Sequence, residues 1–267
     1  ADAELGGQLN MARQVPGKSE FNEMLRYFRG ALARAGVRLR LGTRASAEQL
    51  AREGFEHVVL ATGVRPRRPD IAGLDHPTVL SYVDVLARGA PVGERVAILG
   101  AGGIGFDVAE FLLGDPAEST EAAVFMDRWG VDAGLRSPGG LKAPAWQAPR
   151  RQVHMFQRKA ESLGRQLGKS TGWILKARLR EAGVRMTGGV HYEAIDDAGL
   201  HYRVDGQARV LPVDTVVLCT GQEPLRELQA ELAAHGIGAE LIGGADVAGE
   251  LDAKRAIEQA TRRALAL

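Results

Sequence analysis

Residues 95–113 read RVAILGAGGIGFDVAEFLL, and this stretch decides the fold. It opens on a short apolar run, Val96 to Leu99, and continues through Gly100-Ala101-Gly102-Gly103-Ile104-Gly105 into a segment with helical apolar spacing. Strand, tight glycine turn and helix start, in that order, are the setting in which G-x-G-x-x-G binds a dinucleotide. Gly100 permits the turn, Gly102 lets the backbone approach a pyrophosphate, and Gly105 allows close packing of helix on strand. The N–H groups of the first helical turn, with the helix dipole, then favour phosphates. The same glycines would also suit a βα turn kept for packing alone.

Downstream, the next strand contains VHMF and ends at Gln157-Arg158-Lys159. A unit that binds NAD carries an acid at this strand end for the ribose 2′-hydroxyl. Two cations there suit a 2′-phosphate instead, Arg158 as a bidentate partner and Lys159 as a point charge, which favours NADPH. A solvated basic turn is the plainer alternative. Lys169-Ser170-Thr171 follows Gly164 and Gly168, but only three residues separate those glycines. A phosphate loop of the ATP-binding type needs four, so ATP binding is not expected. Residues 114–150, with four prolines, Trp129 and Trp146, lose all periodicity and read as a long insertion. An insertion of this length is expected to be functional or partner-facing.

Upstream, Ser19 starts a helix that sets Phe21, Leu25, Phe28 and Leu32 on one face and ends at Gly36; Val37 to Leu41 then alternates as a short strand. A second short helix around Ala47 to Arg52 leads into a buried strand, HVVL, ending at Ala61-Thr62-Gly63, and residues 71–89 read as a connection with one short helix. After the basic strand end come a helix from Leu175 to Ala182, a strand at Val184 to Met186 and a polar hairpin turning at Asp205-Gly206. The chain closes on a strand, the Gly243-Gly244-Ala245-Asp246 turn and a helix. Two passages echo each other: ALARAGVRLRLGT with RLREAGVRMTGG, and HVVLATG with TVVLCTG. Two similar α/β units are therefore expected. Only the second has a glycine-rich βαβ ahead of it, so the first is expected to lack its own strand, glycine turn and helix.

A net charge of +1 gives no reason to expect nucleic acid or a membrane as partner. With 45% hydrophobic and 25% charged residues the chain is an ordinary globular composition, and no apolar run spans a bilayer. There is one cysteine, Cys219, so no internal disulfide, redox-active pair or cysteine-bound iron–sulfur cluster can form within this chain. A cytoplasmic setting is the expectation. The six histidines show no metal spacing, and His154 and His191 read as packing or surface residues. No metal site and no catalytic acid/base pair is expected.

This layout resembles the two-dinucleotide-domain flavoproteins. GGQLNMARQVPGKSEF, LSYVDVLARGAPVG, VAILGAGGIGFDVA, QRKAESLGRQLGKSTGW and LIGGADVAGELDAKRAI narrow the resemblance to the bacterial NADPH-dependent 2,4-dienoyl-CoA reductases, insertion included. The resemblance implies an upstream barrel with FMN and a four-iron–four-sulfur cluster, absent from this chain, and an FAD domain split by an NADPH domain. It implies electron flow from NADPH to FAD, through the cluster to FMN and on to a dienoyl-CoA. It also implies that Gly6, Gly7, Gln8, Lys18 and Ala45 lie along FAD, and that Asp246, beside Gly244, accepts a hydrogen bond from the ribityl chain. From residues alone Asp246 reads equally as a helix N-cap. Thr62-Gly63 and Thr220-Gly221 would let backbone pass close to a dinucleotide.

The expected fold is α/β: a Rossmann-like NADPH-binding domain (91–224, with the insertion at 114–150) inserted in an incomplete FAD domain (1–90 and 225–267). The expected function is the electron-input portion of a 2,4-dienoyl-CoA reductase, passing hydride from NADPH to FAD. The alternatives are a non-catalytic dinucleotide-binding fragment or a related flavin-dependent enoate or amine oxidoreductase.

Overall fold

A computed structural model describes residues 2–115, 118, 120–146, 149–249 and 252–267. Five positions of the insertion (116, 117, 119, 147 and 148) lie outside the described residues. In chain order the elements begin with helices α1 (Leu9–Ala12), α2 (Glu20–Arg34) and α3 (Ala47–Glu53), then strands β1 (Val58–Leu60), β2 (Val64–Pro66) and β3 (Val79–Ser81). Next come α4 (Tyr82–Leu86), β4 (Arg95–Leu99), α5 (Gly103–Leu113), α6 (Ala122–Arg128), β5 (Gln152–Phe156), α7 (Gly172–Glu181) and β6 (Arg185–Thr187). The rest is β7 (His191–Asp196), β8 (Gly199–Val204), β9 (Gln207–Leu211), β10 (Thr215–Leu218), β11 (Gln222–Pro224), α8 (Glu227–Ala234), β12 (Ala239–Leu241) and α9 (Ala253–Ala264).

The larger of two compact units, Leu5–Arg38 with Arg68–Thr220, is built on a five-stranded parallel sheet in the order β3-β10-β4-β5-β6. Strand β4 alternates between two cores. Val96 and Ile98 join Phe106, Val108 and Leu112 of α5 and Leu179 of α7. Ala97 and Leu99 join Tyr192, Leu200 and Tyr202 of the antiparallel meander β7-β8-β9. Coverage on both faces is why β4 reads as an unbroken apolar run rather than an alternating one. The meander turns at Asp205 (φ 50°) and Gly206 (φ 75°), the positive pair a two-residue hairpin requires. From β4 the chain moves to β5 and β6 on one side, and β10 lies on the other, so the strand order reverses at β4 and β10. Such a reversal opens a crevice at the carboxyl ends of the strands, where open α/β sheets bind ligands.

The smaller unit comprises Leu39–Arg67 and Gly221–Leu267 with the residues up to Glu4. A parallel pair β1-β12 and an antiparallel pair β2-β11 carry α3 and α8 through a core of Ala47, Leu60 and Leu232. Ser46 caps α3, its hydroxyl accepting from the Gln49 N–H at 3.3 Å.

Several sequence expectations change. Val37–Leu41 is not a strand: it pairs with no other strand among the described residues, and Val37, Leu39 and Leu41 are exposed. Alternation marks a possible strand, but only a neighbouring edge satisfies its backbone groups. The buried strand expected at HVVL is only partly buried, with Val59 36% exposed. The connection over residues 71–89 contributes β3 to the sheet, and β2, β11 and α8 were not anticipated. The insertion is not structureless, since it holds α6 and a bridge between Val131 and Leu141. Its organiser is buried Asp132, whose carboxylate accepts from the N–H groups of Gly134, Arg136 and Ser137 at 2.7–3.0 Å. The two compact units part at Arg67/Arg68 and Thr220/Gly221. Residues 5–38 fall with the larger unit because Val15 buries in the core of Ile98 and Phe106, with Met11 packed against it.

Candidate functional site

The turn between β4 and α5 separates its glycines by purpose. At Gly100 φ is 110°, and a Cβ would stand 2.1 Å from the carbonyl oxygen of Cys219. At Gly105 a Cβ would stand 2.0 Å from the carbonyl oxygen of Gly100. Both glycines are demanded by the chain itself. Gly102 differs: its φ of −82° is ordinary for any residue, and a Cβ there would meet nothing within 4 Å. Gly103 is equally open. Nothing in the chain calls for glycine at these two positions, whereas a dinucleotide backbone laid against the turn would fill that space. Helix α5 has no side-chain cap and no acid in its first turn, so the N–H groups around Gly103, Ile104 and Gly105 remain for an outside acceptor.

One cleft joins this turn to the basic strand end: Ala101 and Gly102 share its lining with Gln157, Arg158, Lys159, Glu161 and Arg165. Sequence reasoning named Arg158 and Lys159 and missed the other two charges. Glu161 lies beyond the strand end where an acid is sought, and the loop brings it back. The Gln157 side-chain amide donates to the carbonyl oxygens of Lys159 (3.0 Å) and Glu161 (2.5 Å), and Gly189 N–H donates to Lys159 at 2.9 Å. Glu161 pairs with Arg165 at 2.5 Å and with Lys159 at 3.7 Å. The Arg165 guanidinium holds the Glu161 carboxyl below its ordinary range. Lys169, Ser170 and Thr171 are exposed and outside this cleft's lining.

The residues assigned to FAD by resemblance divide between the units. Gly6, Gly7, Gln8 and Lys18 fall in the larger one. Lys18 Nζ donates to Asp107 of α5 at 2.6 Å, and Gly6 packs against Asn10 and Leu25. Ala45, Thr62, Gly63, Gly221, Gly244 and Asp246 fall in the smaller unit. There Thr62 donates to the Leu225 carbonyl at 2.6 Å, and the Gly63 carbonyl accepts from the Leu225 N–H at 3.0 Å. Ala45 is exposed just before the cap of α3. Gly221, with φ 105°, lies under the Arg67 guanidinium.

Asp246 is not the cap of α9. That role belongs to Asp252, whose carboxylate accepts from Arg255 N–H at 2.7 Å. Asp246 instead ends the short helical turn Gly243–Ala245 and is fixed by Gln259, which donates to its carboxylate and accepts from Gly243 N–H, each at 2.7 Å. Asp246, Gly243, Arg255 and Gln259 line one cleft. Asp246 is thus an acid held at a cleft, beside the buried Gly244, with no capping duty.

Two further residues pack rather than line a cleft. His154 hydrogen-bonds Thr187 at 2.8 Å and stacks on Phe156, and burial pushes its pKa down to about 4. Cys219 is buried, which pushes its thiol up and leaves it a packing residue. Among the described residues no acidic, histidine and cysteine side chains gather to hold a metal, and no helix is long and apolar enough to cross a membrane.

The profile of the family described as Pyridine nucleotide-disulphide oxidoreductase matches residues 43–246. The chain belongs to that family. The span covers the glycine turn, the basic strand end and Asp246, and the family binds FAD and NAD(P)H. The chain has a single cysteine, so the disulphide in the family's name cannot form within it. A metal reductase from Desulforamulus reducens is 28% identical over 246 residues, 91% of this chain and 36% of its own length. An NADH oxidase from Thermoanaerobacter brockii is 34% identical over 127 residues, 46% of this chain and 20% of its own. In fold, the whole chain superposes on 35% of a 2-naphthoyl-CoA reductase solved with 2-naphthoyl-CoA, with a TM-score of 0.79 and 20% identity. It likewise superposes on 39% of histamine dehydrogenase from Rhizobium sp. 4-9, with a TM-score of 0.74 and 20% identity. The matches therefore span between a fifth and two-fifths of the length of these relatives. It carries the FAD/NAD(P)-binding, Rossmann-like fold of a flavin-dependent NAD(P)H oxidoreductase.

Proposed function

We propose that this chain is the electron-intake portion of an NADPH-dependent reductase of the 2,4-dienoyl-CoA reductase type, acting on unsaturated fatty acyl-CoA esters. The larger unit holds NADPH, the smaller contributes to the FAD site, and a barrel with FMN and a four-iron–four-sulfur cluster, outside this chain, completes the path. One observation carries the reading: the open glycine backbone at Gly102 shares a cleft with Arg158, Lys159 and Arg165.

The roles follow from the chemistry of each group. Gly102 and Gly103 admit the pyrophosphate, and the first-turn N–H groups of α5 donate to its oxygens. Arg158 offers a planar fork to the 2′-phosphate, and Lys159 adds charge. Asp246, held by Gln259, would orient FAD, which when bound supplies the two-electron acceptor. No protein acid or base is required, because hydride transfer depends on the alignment of two rings.

Replacing Gly102 by Ala tests the site without disturbing the fold. The added Cβ meets nothing, so stability should hold or rise by up to about 1 kcal/mol. NADPH affinity, read by fluorescence titration, should fall at least roughly tenfold if the pyrophosphate lies against that position. Unchanged NADPH binding in this variant would sink the assignment. The names of the relatives support a second reading for the far end of the path. The fold is shared by a CoA-ester reductase and an amine dehydrogenase, so a related flavin-dependent enoate or amine oxidoreductase is the alternative. Turnover of a 2,4-dienoyl-CoA against an amine by the full-length protein separates the two.

A further inference from the structure

The cleft that carries the proposed NADPH site holds one carboxylate among its cations, and that carboxylate is already spoken for. Glu161 is bound by Arg165 at 2.5 Å and lies 3.7 Å from Lys159. Its side chain is one-third exposed, against about three-quarters for Arg165 and Lys159, so it is the enclosed member and the cations are the solvent-facing ones. Its place does not depend on that pair. The Gln157 amide gathers the Lys159 and Glu161 carbonyls, and a Cβ on Gly188 would stand only 3.0–3.2 Å from the same two oxygens, so the loop is held through its backbone.

A cleft that met only 2′-phosphates would gain nothing from a fixed acid, because an ionised carboxylate repels an incoming dianion and occupies its partners. A cleft that met only 2′-hydroxyls would need the acid and not three surrounding cations. Both sets are present. We propose that Glu161 and Arg165 form an exchangeable ion pair that sets the choice between the two nicotinamide dinucleotides. A 2′-phosphate takes Arg165 and Lys159 from Glu161, and a free 2′-hydroxyl donates to the Glu161 carboxylate while Arg165 stays with it. The chain then accepts both cofactors, with the preference set by how tightly Arg165 holds Glu161. This inference rests on the reading of the cleft as a nicotinamide-dinucleotide site and adds two residues to it.

The test uses wild-type chain, Glu161→Gln and Arg165→Gln, titrated with NADPH, NADH and the subsite probes 2′,5′-ADP and 5′-AMP. Both side chains are surface-reaching and the loop is held by its backbone, so melting temperatures should match wild type. Exposed ion pairs are weak, so the effects are modest. Glu161→Gln should tighten NADPH and 2′,5′-ADP roughly three- to tenfold and weaken NADH by a similar factor. Arg165→Gln should weaken NADPH and 2′,5′-ADP roughly tenfold while NADH binds as well as before or better. In wild type the NADPH advantage should shrink as salt rises, because surface charges are screened. If both dinucleotides bind and neither variant changes their ratio, the exchange is wrong and the dinucleotide site stands. If neither dinucleotide nor 2′,5′-ADP binds wild type, the reading of the cleft itself falls.

Discussion

Ala-Gly-Val-Arg occurs twice in this chain, at 35–38 and 182–185, each time after a helix, and the two copies fold differently. The second copy leads into β6, which pairs with β5 as an edge of the five-stranded sheet. The first leads into Val37–Leu41, which pairs with no other strand among the described residues and leaves three apolar side chains exposed. The companion strands show the same contrast. TVVL of β10 is buried throughout, between β3 and β4. VVL of β1 has one neighbour, β12, and an exposed Val59. A strand-like sequence is a request for partners, and the unit that contains the glycine-rich βαβ answers it.

Three measurements bear on this contrast. The largest effect is expected at the turn that organises the second copy. Gly105→Ala puts a methyl against the Gly100 carbonyl, and Gly100→Ala adds an unfavourable φ to a clash with Cys219. Each should cost about 3 kcal/mol or more, seen as a lower melting temperature and lost dinucleotide binding. A wild-type melting curve in either variant would mean that the turn is not the keystone of the sheet. Next are the matched valines. Val217 is fully buried and Val59 is 36% exposed at the corresponding place in the repeat. Val217→Ala should cost about 2 kcal/mol in urea unfolding and Val59→Ala less than about 0.5 kcal/mol. Equal losses would show that both copies are packed alike. A third effect, read against pH rather than by truncation, lies in β5, the strand that gives the second copy its neighbour. His154 is neutral when folded, with its pKa lowered by burial and then by Arg185 to about 4, below the unfolded value of 6.5. The unfolded chain therefore binds the extra proton first. Stability should be full above pH 6.5, decline as pH falls from 6.5 towards 4, and take no further contribution from this residue below that. A His154→Gln variant should lose that part of the pH dependence, and an NMR titration of the imidazole near 6.5 would contradict the assigned burial.

The candidate site was legible to an unequal degree. The run from Val96 to Gly105 announced strand, turn and helix because an apolar run, glycine spacing and helical periodicity are all local signals. Arg158 and Lys159 were legible because they sit at the strand's end, where position in sequence is position in space. Glu161 and Arg165 were not, because a loop folded by Gln157 and Gly188 returns them to the cleft. The Asp246 question was undecidable in sequence, where any acid shortly before a helix reads as a cap. The start of α9 at Ala253 and its cap by Asp252 exclude the capping role.

The sequence by itself determined the glycine turn, the dinucleotide chemistry it permits, the charge at the next strand end and the impossibility of dithiol chemistry with one cysteine. Those are properties of short stretches and of composition, which hold wherever the chain goes. The tertiary structure alone decided which glycines the fold needs and which it leaves open, which strand-like stretches find an edge, and which charges share a cleft. Backbone clashes, sheet pairing and ion pairs are contacts between residues distant in sequence, and only folding brings them together.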